Sequence, residues 1–374
     1  MTKYAIWGCK DCGERVLNLL KRDVENEIVF FIDSDIKKQK MFFLEKQVLS
    51  PKDAVEKAKN KEFDVIVFAF VNYHQRMMTR FFKGVEGLRA YVVPTHIQKF
   101  KKSYESIEDC LVEIDLNKPR MKQFDVNLVD HCNMKCKGCL RFSNLVTEPK
   151  YADFTKMIQD WKRIKELFWG VERIKLMGGE PMLSPDLCKY VKAAREIFPD
   201  ADIMITTNGL LINEGCEELF DTMKRNNSFF DISLYEPMSK RIKEVEDLLI
   251  KKGVWYVIND SKANFYKVMS KTPDYNPDKM YEMCVAKNCH HLRNGMISVC
   301  SRPQYVHIVN ERYGTSIPTD AGVWDIYNLG MDAWELDDKL SSSFEACKYC
   351  APPVSYEWAR ADNKTAKYED WFVE

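Results

Sequence analysis

The sequence predicts an α/β protein with two successive runs of alternating strands and helices, followed by an irregular C-terminal part. Three observations support this prediction. Apolar runs alternate with helical spacing up to about residue 115, the alternation restarts near residue 120, and it stops near residue 275. We therefore expect a doubly wound, Rossmann-like domain at 1–115, a central partial (β/α)6 barrel at 116–275 and a small irregular module at 276–374.

The composition is that of an ordinary folded protein of 374 residues, of which 45% are hydrophobic. Lysine plus arginine balances aspartate plus glutamate at 56 each, so we expect no nucleic-acid partner. No apolar run approaches the roughly 18 residues of a membrane span, and the N-terminus lacks a signal-peptide pattern. We therefore expect a cytoplasmic protein that does not associate with membranes. In that reducing compartment, clustered cysteines indicate metal ligands or catalytic groups.

The N-terminal domain begins with the apolar run "KYAIWG", a helical segment and a second apolar run, "EIVFFIDSD". The turn after the first run resembles a dinucleotide-binding fingerprint in Gly8 and Gly13, but Lys10 replaces the middle glycine. Asp33 or Asp35 could then hydrogen-bond to a ribose. Because the middle glycine is missing, the domain could equally have a structural or substrate-docking role without a nucleotide. The lysine-rich segment 96–110 closes this domain or links it to the next.

The central part restarts with "FDVNLVD", which we interpret as a strand that leads directly into a group of cysteines. At least four further strands follow, each after a helical segment. Sites in α/β barrels lie at the carboxyl ends of the strands. The polar and glycine residues at the predicted strand ends are therefore candidates for function: Gly178, Gly179, Glu180, Asn208 and Ser233.

Cys132, Cys136 and Cys139 form the pattern C-x3-C-x2-C. Three thiolates are one short of a closed tetrahedral zinc site or a fully ligated iron–sulfur cluster. The set therefore indicates an open coordination position. On zinc that position would serve hydrolysis, and on a [4Fe–4S] cluster it would leave one iron free to bind a substrate or cofactor.

This cysteine pattern at the end of a first barrel strand, followed by "GGEP", resembles the radical S-adenosylmethionine (SAM) superfamily over roughly residues 122–260. The resemblance implies that the three cysteines bind a [4Fe–4S] cluster whose fourth iron chelates SAM. An electron then cleaves SAM to methionine and a 5′-deoxyadenosyl radical, which abstracts a substrate hydrogen. The glycine pair would let backbone approach the methionine, and Glu180 would hold its ammonium group. Asn208 and Ser233 match further SAM contacts.

Gly138 departs from this resemblance. Many members carry an aromatic residue directly before the third cysteine, where it shields the adenine. With glycine there, contacts to the adenine must come from backbone or from Leu140 and Phe142. Ligation of the cluster is unaffected.

A second group of cysteines lies near the C-terminus, and its spacing resembles the SPASM/twitch auxiliary modules of the same superfamily. The short twitch form fits, with one further [4Fe–4S] cluster. Either Cys284 or Cys289 is its fourth ligand, and a structural zinc site with four cysteines remains an alternative. The candidate ligands are Cys284, Cys289, Cys300, Cys347 and Cys350.

A closed auxiliary cluster favours electron transfer, so we expect a radical SAM oxidoreductase that dehydrogenates a small molecule. The Rossmann-like domain favours a sugar- or nucleotide-linked substrate, and a flavodoxin or ferredoxin would supply electrons. One alternative is an epimerase with Cys188, Cys216 or Tyr235 as hydrogen donor. Others are a peptide- or protein-modifying maturase and a non-catalytic nucleotide sensor whose fold is stabilised by metal. The sequence does not identify the catalytic residue that acts on the substrate.

Overall fold

The structure is a computed structural model that describes residues 1–70, 75–93, 111–260, 264–284 and 286–373. The lysine-rich segment 96–110 lies outside these residues. The chain forms two compact units. One comprises Met1–Met121 with Leu167–Glu172, and the other comprises Lys122–Glu166 with Arg173–Glu374. The predicted domain boundaries at 115 and 275 remain predictions.

The first unit contains a sheet of seven strands in the order β3-β4-β2-β1-β5-β6-β7. The five strands from β4 to β6 in this order pair in parallel, and β3 and β7 pair antiparallel at the two edges. The strands and helices are β1 Thr2–Trp7, α1 Asp11–Leu20, β2 Asn26–Ile32, β3 Phe42–Phe43, β4 Lys46–Leu49, α2 Pro51–Lys59, β5 Val65–Phe68, α3 Gln75–Thr79, β6 Arg89–Val92 and β7 Val112–Ile114.

Two apolar clusters form from alternate residues of this sheet. Ile6 packs in one cluster with Val16 of α1, whereas Ala5 packs in the other with Ala54 of α2. Successive side chains of a strand point to opposite faces, so the helices cover both faces of the sheet. The mixed α/β character predicted for this unit is confirmed.

Asp33, which follows β2, is engaged within the protein. Its carboxylate accepts a hydrogen bond from the Cys9 amide at 3.3 Å and pairs with the Lys38 ammonium at 2.9 Å. Gly13 packs so tightly that a Cβ there would lie 1.9 Å from the carbonyl oxygen of Gly8. Asp33 and Gly13 thus both make close contacts within the protein at this turn.

The second unit contains a sheet of eight strands in the order β12-β11-β10-β9-β8-β14-β15-β16, and β13 pairs separately with β17. Strands β9 to β12 pair in parallel in chain order, and β14 adds in parallel to β8. The elements are β8 Arg120–Val129, α4 Phe154–Leu167, β9 Gly170–Gly178, α5 Leu187–Ile197, β10 Asp202–Thr207, α6 Glu217–Arg225, β11 Ser228–Ser233, α7 Glu236–Ser239, α8 Ile242–Lys252, β12 Tyr256–Asn259, β13 Asn264–Met269, α9 Pro277–Glu282, β14 His290–Arg293, β15 Met296–Ser298, α10 Arg302–Tyr305, α11 His307–Tyr313, β16 Val323–Asp325, α12 Ala333–Leu340 and β17 Cys350–Glu357.

Strand β8 is buried on both faces, and the two faces differ in character. Phe124 packs against Trp161 of α4 at 6.4 Å between ring centroids and against Phe198 at 5.8 Å. The alternate residues Gln123 and Asp125 are polar and equally buried. Apolar side chains thus attach the helices to the sheet, and the opposite face carries polar groups.

The part predicted to be irregular contains short elements of its own, and β14 extends the same sheet as β8. Strands β15 and β16 have three residues each, which is too short for an alternating pattern to be recognised in the sequence. In the described parts of the chain, no helix has both the length and the apolar character needed to cross a membrane.

Candidate functional site

The loop after β8 carries the first three cysteines. The Cys132 thiol accepts a hydrogen bond from the Met134 amide at 3.4 Å, and Lys135 has a left-handed backbone with φ of 55°. Burial raises the pKa of the Cys132 thiol to about 12, and Glu180 and Cys139 add to this effect. Buried thiols do not ionise without a compensating cation, so an electropositive metal group would have to supply that compensation.

Tyr235, which follows β11, lies beside this group of thiols. Burial raises the pKa of its hydroxyl well above the ordinary value, and the charges of Cys136, Cys139 and Cys132 contribute. Its ring packs on Phe265 at 5.1 Å between centroids. The three cysteines therefore face a common space with an aromatic hydroxyl at its edge. Within the described residues, no three His, Cys, Asp or Glu side chains are arranged to hold a single metal ion.

The glycine pair at the end of β9 lies directly against the end of β8. The Gly179 amide donates to the Val129 carbonyl at 2.8 Å, and the Glu180 amide donates to the His131 carbonyl at 3.1 Å. A Cβ on Gly179 would lie 2.0 Å from the His131 oxygen, and one on Gly178 would lie 2.3 Å from the Val129 oxygen. The two glycines thus allow the candidate carboxylate to approach the cysteine loop.

Glu180 is buried, with an exposed fraction of 1%. Its carboxylate accepts hydrogen bonds from the Thr207 hydroxyl at 2.6 Å, the Asn208 amide at 2.9 Å and the Met182 amide at 3.1 Å. Burial raises its pKa to about 7 in spite of these donors. A cationic ligand would favour the charged carboxylate here, since no ammonium or guanidinium forms an ion pair with Glu180 among the described residues.

Asn208 and Ser233 complete the predicted set. The Asn208 side-chain amide donates to the Asn133 side-chain oxygen at 2.8 Å and lies 3.9 Å from the Cys132 sulfur. Ser233 is buried and its hydroxyl contacts Tyr235. The structure therefore brings the first three cysteines, Glu180, Asn208 and Ser233 together at the carboxyl ends of neighbouring strands.

The C-terminal residues 350–372, here called the strap, pair with the cysteine loop. The Lys137 amide donates to the Ala359 carbonyl at 2.8 Å, and the Ala361 amide donates to the Lys135 carbonyl at 2.9 Å. Cys136 also forms an isolated antiparallel bridge with Arg360. The strap thereby acts as an additional strand along the loop.

Aromatic side chains of the strap bind the same loop. The Trp358 indole N–H donates to the Cys136 sulfur at 3.2 Å, and the Trp371 indole N–H donates to the Cys139 carbonyl at 2.9 Å. The Tyr356 hydroxyl donates to the Lys137 carbonyl at 2.9 Å. These residues were missed by the sequence analysis, because they lie more than 200 positions downstream and have no motif of their own.

The strap explains Gly138, the residue that departs from the family pattern. Gly138 has φ of +61°, and a Cβ there would lie 2.1 Å from the Tyr356 hydroxyl and 2.5 Å from the Asp370 carbonyl oxygen. No side chain fits at this position because the strap occupies the space. Aromatic groups reach the loop from the C-terminal segment instead.

Replacing Gly138 by alanine should therefore destabilise the second unit by about 2–4 kcal/mol, from left-handed strain plus the clash. Gly253 is the matched control, because it has φ of +65° and a Cβ added there would meet no atom within 4 Å. Its alanine variant should cost only about 1 kcal/mol. Urea unfolding of both variants measures the difference in the free energy of unfolding. Equal losses in the two variants would show that the strap moves to accommodate the added methyl group.

The second group of cysteines divides in the structure. Cys284, Cys300 and Cys350 lie close enough to share the charge of Arg302, whose guanidinium donates to the Cys350 sulfur at 2.6 Å. The Cys347 thiol hydrogen-bonds to Cys350 and, with Arg302, holds the pKa of Cys350 below its ordinary value. Three thiols thus lie beside the Arg302 guanidinium, and the fourth, Cys347, joins the group through Cys350.

Cys289 lies elsewhere. Its sulfur accepts a hydrogen bond from the Gln123 side-chain amide at 3.3 Å, and the charged groups around it are Asp125, Lys175 and Arg141. Burial raises the pKa of its thiol to about 11. The structure therefore places Cys289 on the polar face of the sheet. Of the second group of cysteines, Cys284 also acts on its pKa.

The polar face of the sheet is built from alternate residues of successive strands. Thr206 donates to Asp231 at 3.2 Å, and Asn259 donates to the same carboxylate at 3.4 Å. The parallel register brings their strands together in this order. This face therefore offers several hydrogen-bonding groups to a polar ligand.

Arg141, from the cysteine loop, reaches the same face. Its guanidinium donates to Asp125 at 3.0 Å and to the Asn127 oxygen at 2.6 Å, and it lies 3.1 Å from His291 Nδ1. Burial, with Arg141 and Arg293 nearby, holds the pKa of His291 well below its usual range. His291 is therefore neutral and accepts from Arg141, while its Nε2 faces the Tyr305 hydroxyl at 3.1 Å.

Two of the predicted hydrogen donors lie on the helix side. Cys188 belongs to α5 and its thiol contacts Thr222 of α6. Cys216 precedes α6, and its thiol donates to the Leu211 carbonyl at 3.6 Å. Of the three predicted donors, only Tyr235 lies beside the first group of cysteines.

Known proteins resemble the central part of the chain. Residues 126–244 match the model of the Radical SAM superfamily. A GTP 3′,8-cyclase of Nautilia profundicola is 30% identical over 141 residues, which are 36% of this chain and 42% of that protein. A GTP 3′,8-cyclase of Clostridium perfringens (strain SM101 / Type A) is 26% identical over 164 residues, 42% and 49% of the two chains. The chain thus spans about half the length of these curated relatives.

Solved structures also match in part. BtrN in complex with AdoMet and 2-DOIA is 17% identical, with a TM-score of 0.41 over 63% of this chain and 94% of that one. UDP-D-quinovosamine 4-dehydrogenase from Vibrio fischeri is 20% identical, with a TM-score of 0.26 over 30% and 93%. The match of residues 126–244 covers the cysteine loop, Glu180 and Asn208. Residues 126–244 therefore form a radical SAM domain, a kind of domain that uses a [4Fe–4S] cluster and SAM.

Proposed function

We propose that this radical SAM enzyme is an oxidoreductase that removes a hydrogen atom from a carbon of a small molecule and passes one electron to a second cluster. The observation that carries the proposal is the division of the cysteines. Three lie at the strand ends near Glu180, and four others form a second group, three beside Arg302 and the fourth bonded to Cys350. Three ligands leave one iron of a [4Fe–4S] cluster open, whereas four ligands can bind all four irons.

The first site fits its cofactors by the chemistry of its donors. When bound by Cys132, Cys136 and Cys139, a [4Fe–4S] cluster supplies the electron that cleaves SAM into methionine and the 5′-deoxyadenosyl radical. Glu180 binds the ammonium of SAM, since its buried carboxylate already has its neutral donors in place. Tyr235 and Trp358 exclude water from the thiols.

The second site supports an oxidation. We infer that Cys284, Cys300, Cys347 and Cys350 bind an auxiliary [4Fe–4S] cluster in a twitch-like module. Three of these thiols face the same guanidinium, and the fourth hydrogen-bonds to Cys350. Four protein ligands leave no iron open to a substrate, so such a cluster would serve to accept an electron. A zinc ion would fit the donor type but could not accept one.

The polar face supports a hydroxyl-rich substrate. Asn127, Thr206 and Asn259 present amide and hydroxyl groups, and Asp125 is held by Arg141. The side-chain nitrogen of Asn127 is buried without a hydrogen-bond acceptor, so a ligand oxygen there would satisfy it. We infer a sugar-like alcohol, and the similarity to GTP 3′,8-cyclases is consistent with a nucleotide-linked form.

We further infer that the first unit is a Rossmann-like domain that docks the substrate without a nucleotide of its own. The pairing of Asp33 with Lys38 and the Cys9 amide supports this proposal, because the carboxylate is already engaged. Binding of NAD with a dissociation constant below about 100 μM, measured by calorimetry, would contradict it. Binding of a sugar nucleotide instead would agree with it.

Production of 5′-deoxyadenosine tests the core of the proposal. Anaerobically reconstituted protein, reduced by flavodoxin or ferredoxin, should form 5′-deoxyadenosine from SAM, and it should contain about eight irons per chain. Candidate sugars deuterated at single carbons should then transfer deuterium into 5′-deoxyadenosine. A content of only about four irons per chain would show that the auxiliary cluster is absent. Absence of any 5′-deoxyadenosine with intact clusters would count against the proposed activity.

The pH dependence of SAM binding tests the role of Glu180. Its pKa is about 7, and the charged carboxylate is the form that binds an ammonium. Affinity for SAM should therefore be constant above pH 8 and fall by up to about tenfold per unit below pH 7, as Glu180 becomes protonated. Glu180→Gln should bind weakly at every pH and lose this dependence. An unchanged dependence in that variant would assign the titration to another group.

Cys289 supports a second candidate, a redox-neutral epimerase. Its thiol lies on the polar face with Gln123, where it could donate a hydrogen atom to a substrate radical. Turnover in D2O separates the two functions. An epimerase would incorporate solvent deuterium at the product carbon, whereas a dehydrogenase would release a carbonyl product without it.

A further inference from the structure

Arg302 occupies an unusual position at the first residue of α10. The residue is half-buried, but its guanidinium is turned away from solvent and lies among the second group of cysteines. Nη1 lies 2.6 Å from the Cys350 sulfur. The charges that it meets are those of Cys350, Cys300 and Cys284.

This cation forms no ion pair with a carboxylate in the described parts of the chain, whereas Arg141 and Arg293 each form one. Arg293, for comparison, forms two hydrogen bonds to Asp130 at 2.8 and 2.9 Å. A buried charge without a counter-ion is costly. The groups available to compensate it are sulfurs, of which Cys350 is in direct contact at 2.6 Å and Cys300 and Cys284 are nearby, so the position of Arg302 points to an occupant that holds these sulfurs as thiolates.

The charge of the occupant depends on its redox state. A [4Fe–4S] core carries 2+ when oxidised, and four thiolates bring the total to 2−; one electron makes it 3−. A fixed positive charge stabilises the more negative state more strongly, and it raises the reduction potential. Hydrogen bonds to ligand sulfur act in the same direction.

We propose that Arg302 sets the reduction potential of the auxiliary cluster, so that the cluster accepts an electron from the substrate radical. This inference rests on the proposed function. In the step concerned, the substrate radical loses one electron and one proton to become a carbonyl, and the cluster core changes from 2+ to 1+. The proton passes to water, and an external carrier such as a ferredoxin or flavodoxin later removes the electron.

The test uses the full chain with Cys132, Cys136 and Cys139 replaced by alanine, so that only the auxiliary cluster contributes. Redox titration followed by electron paramagnetic resonance gives its midpoint potential. Arg302→Gln and Arg302→Met, which remove the charge, should lower the potential and disfavour reduction by about tenfold or more, equivalent to ~59 mV. Arg302→Lys should remain close to the parent protein.

Arg163 on α4 provides the matched control, since its guanidinium pairs with Glu166 at 2.9 Å at the surface. Arg163→Gln removes the same charge and should leave the potential unchanged. A neutral variant at Arg302 that retains about four irons with an unshifted potential would overturn the inference. Loss of iron in both neutral variants but not in the lysine variant would support it, and loss of iron in all three would show a geometric role instead.

The iron count of the parent protein separates this inference from the proposed function. If the parent protein lacks an auxiliary cluster, or contains zinc in its place, it has no auxiliary reduction potential to measure. The proposed oxidoreductase function is then wrong, whatever the Arg302 variants do. With the cluster present and its potential insensitive to Arg302, only the inference fails.

Discussion

Replacing Cys136 by alanine should abolish formation of 5′-deoxyadenosine and remove about four of eight irons per chain. The reason is that three thiolates are the minimum that holds the SAM-binding cluster with one iron open. Cys136 also accepts the Trp358 hydrogen bond, so its loss removes one of the contacts between the strap and the loop as well. Iron analysis and product detection by liquid chromatography measure both effects.

Cys188 is the control for this variant, because its thiol lies between α5 and α6. Cys188→Ala should keep all irons and form 5′-deoxyadenosine at the parent rate. To separate ligation from packing, Trp358→Phe should retain the irons while removing only the indole N–H. Product formation by iron-replete Cys136→Ala would contradict the ligand assignment.

Replacing Cys284 by alanine should remove the auxiliary cluster and reduce the iron content to about four per chain, while SAM cleavage persists without oxidised product. Cys289→Ala should retain about eight irons. The structure gives the reason, since Cys284 shares Arg302 with Cys300 and Cys350, whereas Cys289 accepts a hydrogen bond from Gln123. Mössbauer spectra of both variants measure the number of clusters.

These two variants resolve the alternative that the sequence left open, because they differ only in which thiol is lost. If Cys289→Ala lost the cluster and Cys284→Ala kept it, the ligand assignment would be reversed. If Cys289→Ala keeps the cluster but loses product, the thiol acts on the substrate, as the epimerase candidate requires.

Local patterns indicate one part of the candidate site. The cysteine loop and the Gly178-Gly179-Glu180 segment each occupy a few consecutive residues at a strand end, so their type and spacing are visible in the sequence. The strand–helix alternation predicted the α/β character for the same reason. Tyr235 was a candidate hydrogen donor by residue type only, together with Cys188 and Cys216.

Long-range contacts could not be predicted in this way. Trp358 meets Cys136 across 222 positions, and Asn144 meets the Ala361 carbonyl across 217. Strand β17 pairs with β13, and neither has a distinctive period. Arg302 resembles any arginine at a helix start until the fold places three cysteines beside it. Such contacts depend on topology rather than on neighbouring residues.

The strap has a consequence for biosynthesis. The cysteine loop emerges from the ribosome early, but the residues that fix it at Tyr356, Trp358 and Trp371 are made 219 to 232 positions later. At about 5–20 residues per second, translation leaves the loop without them for roughly 10–45 seconds. Iron–sulfur delivery during that interval would meet an open, unfixed loop. A cluster inserted in that interval would be in place before the strap closes on the loop.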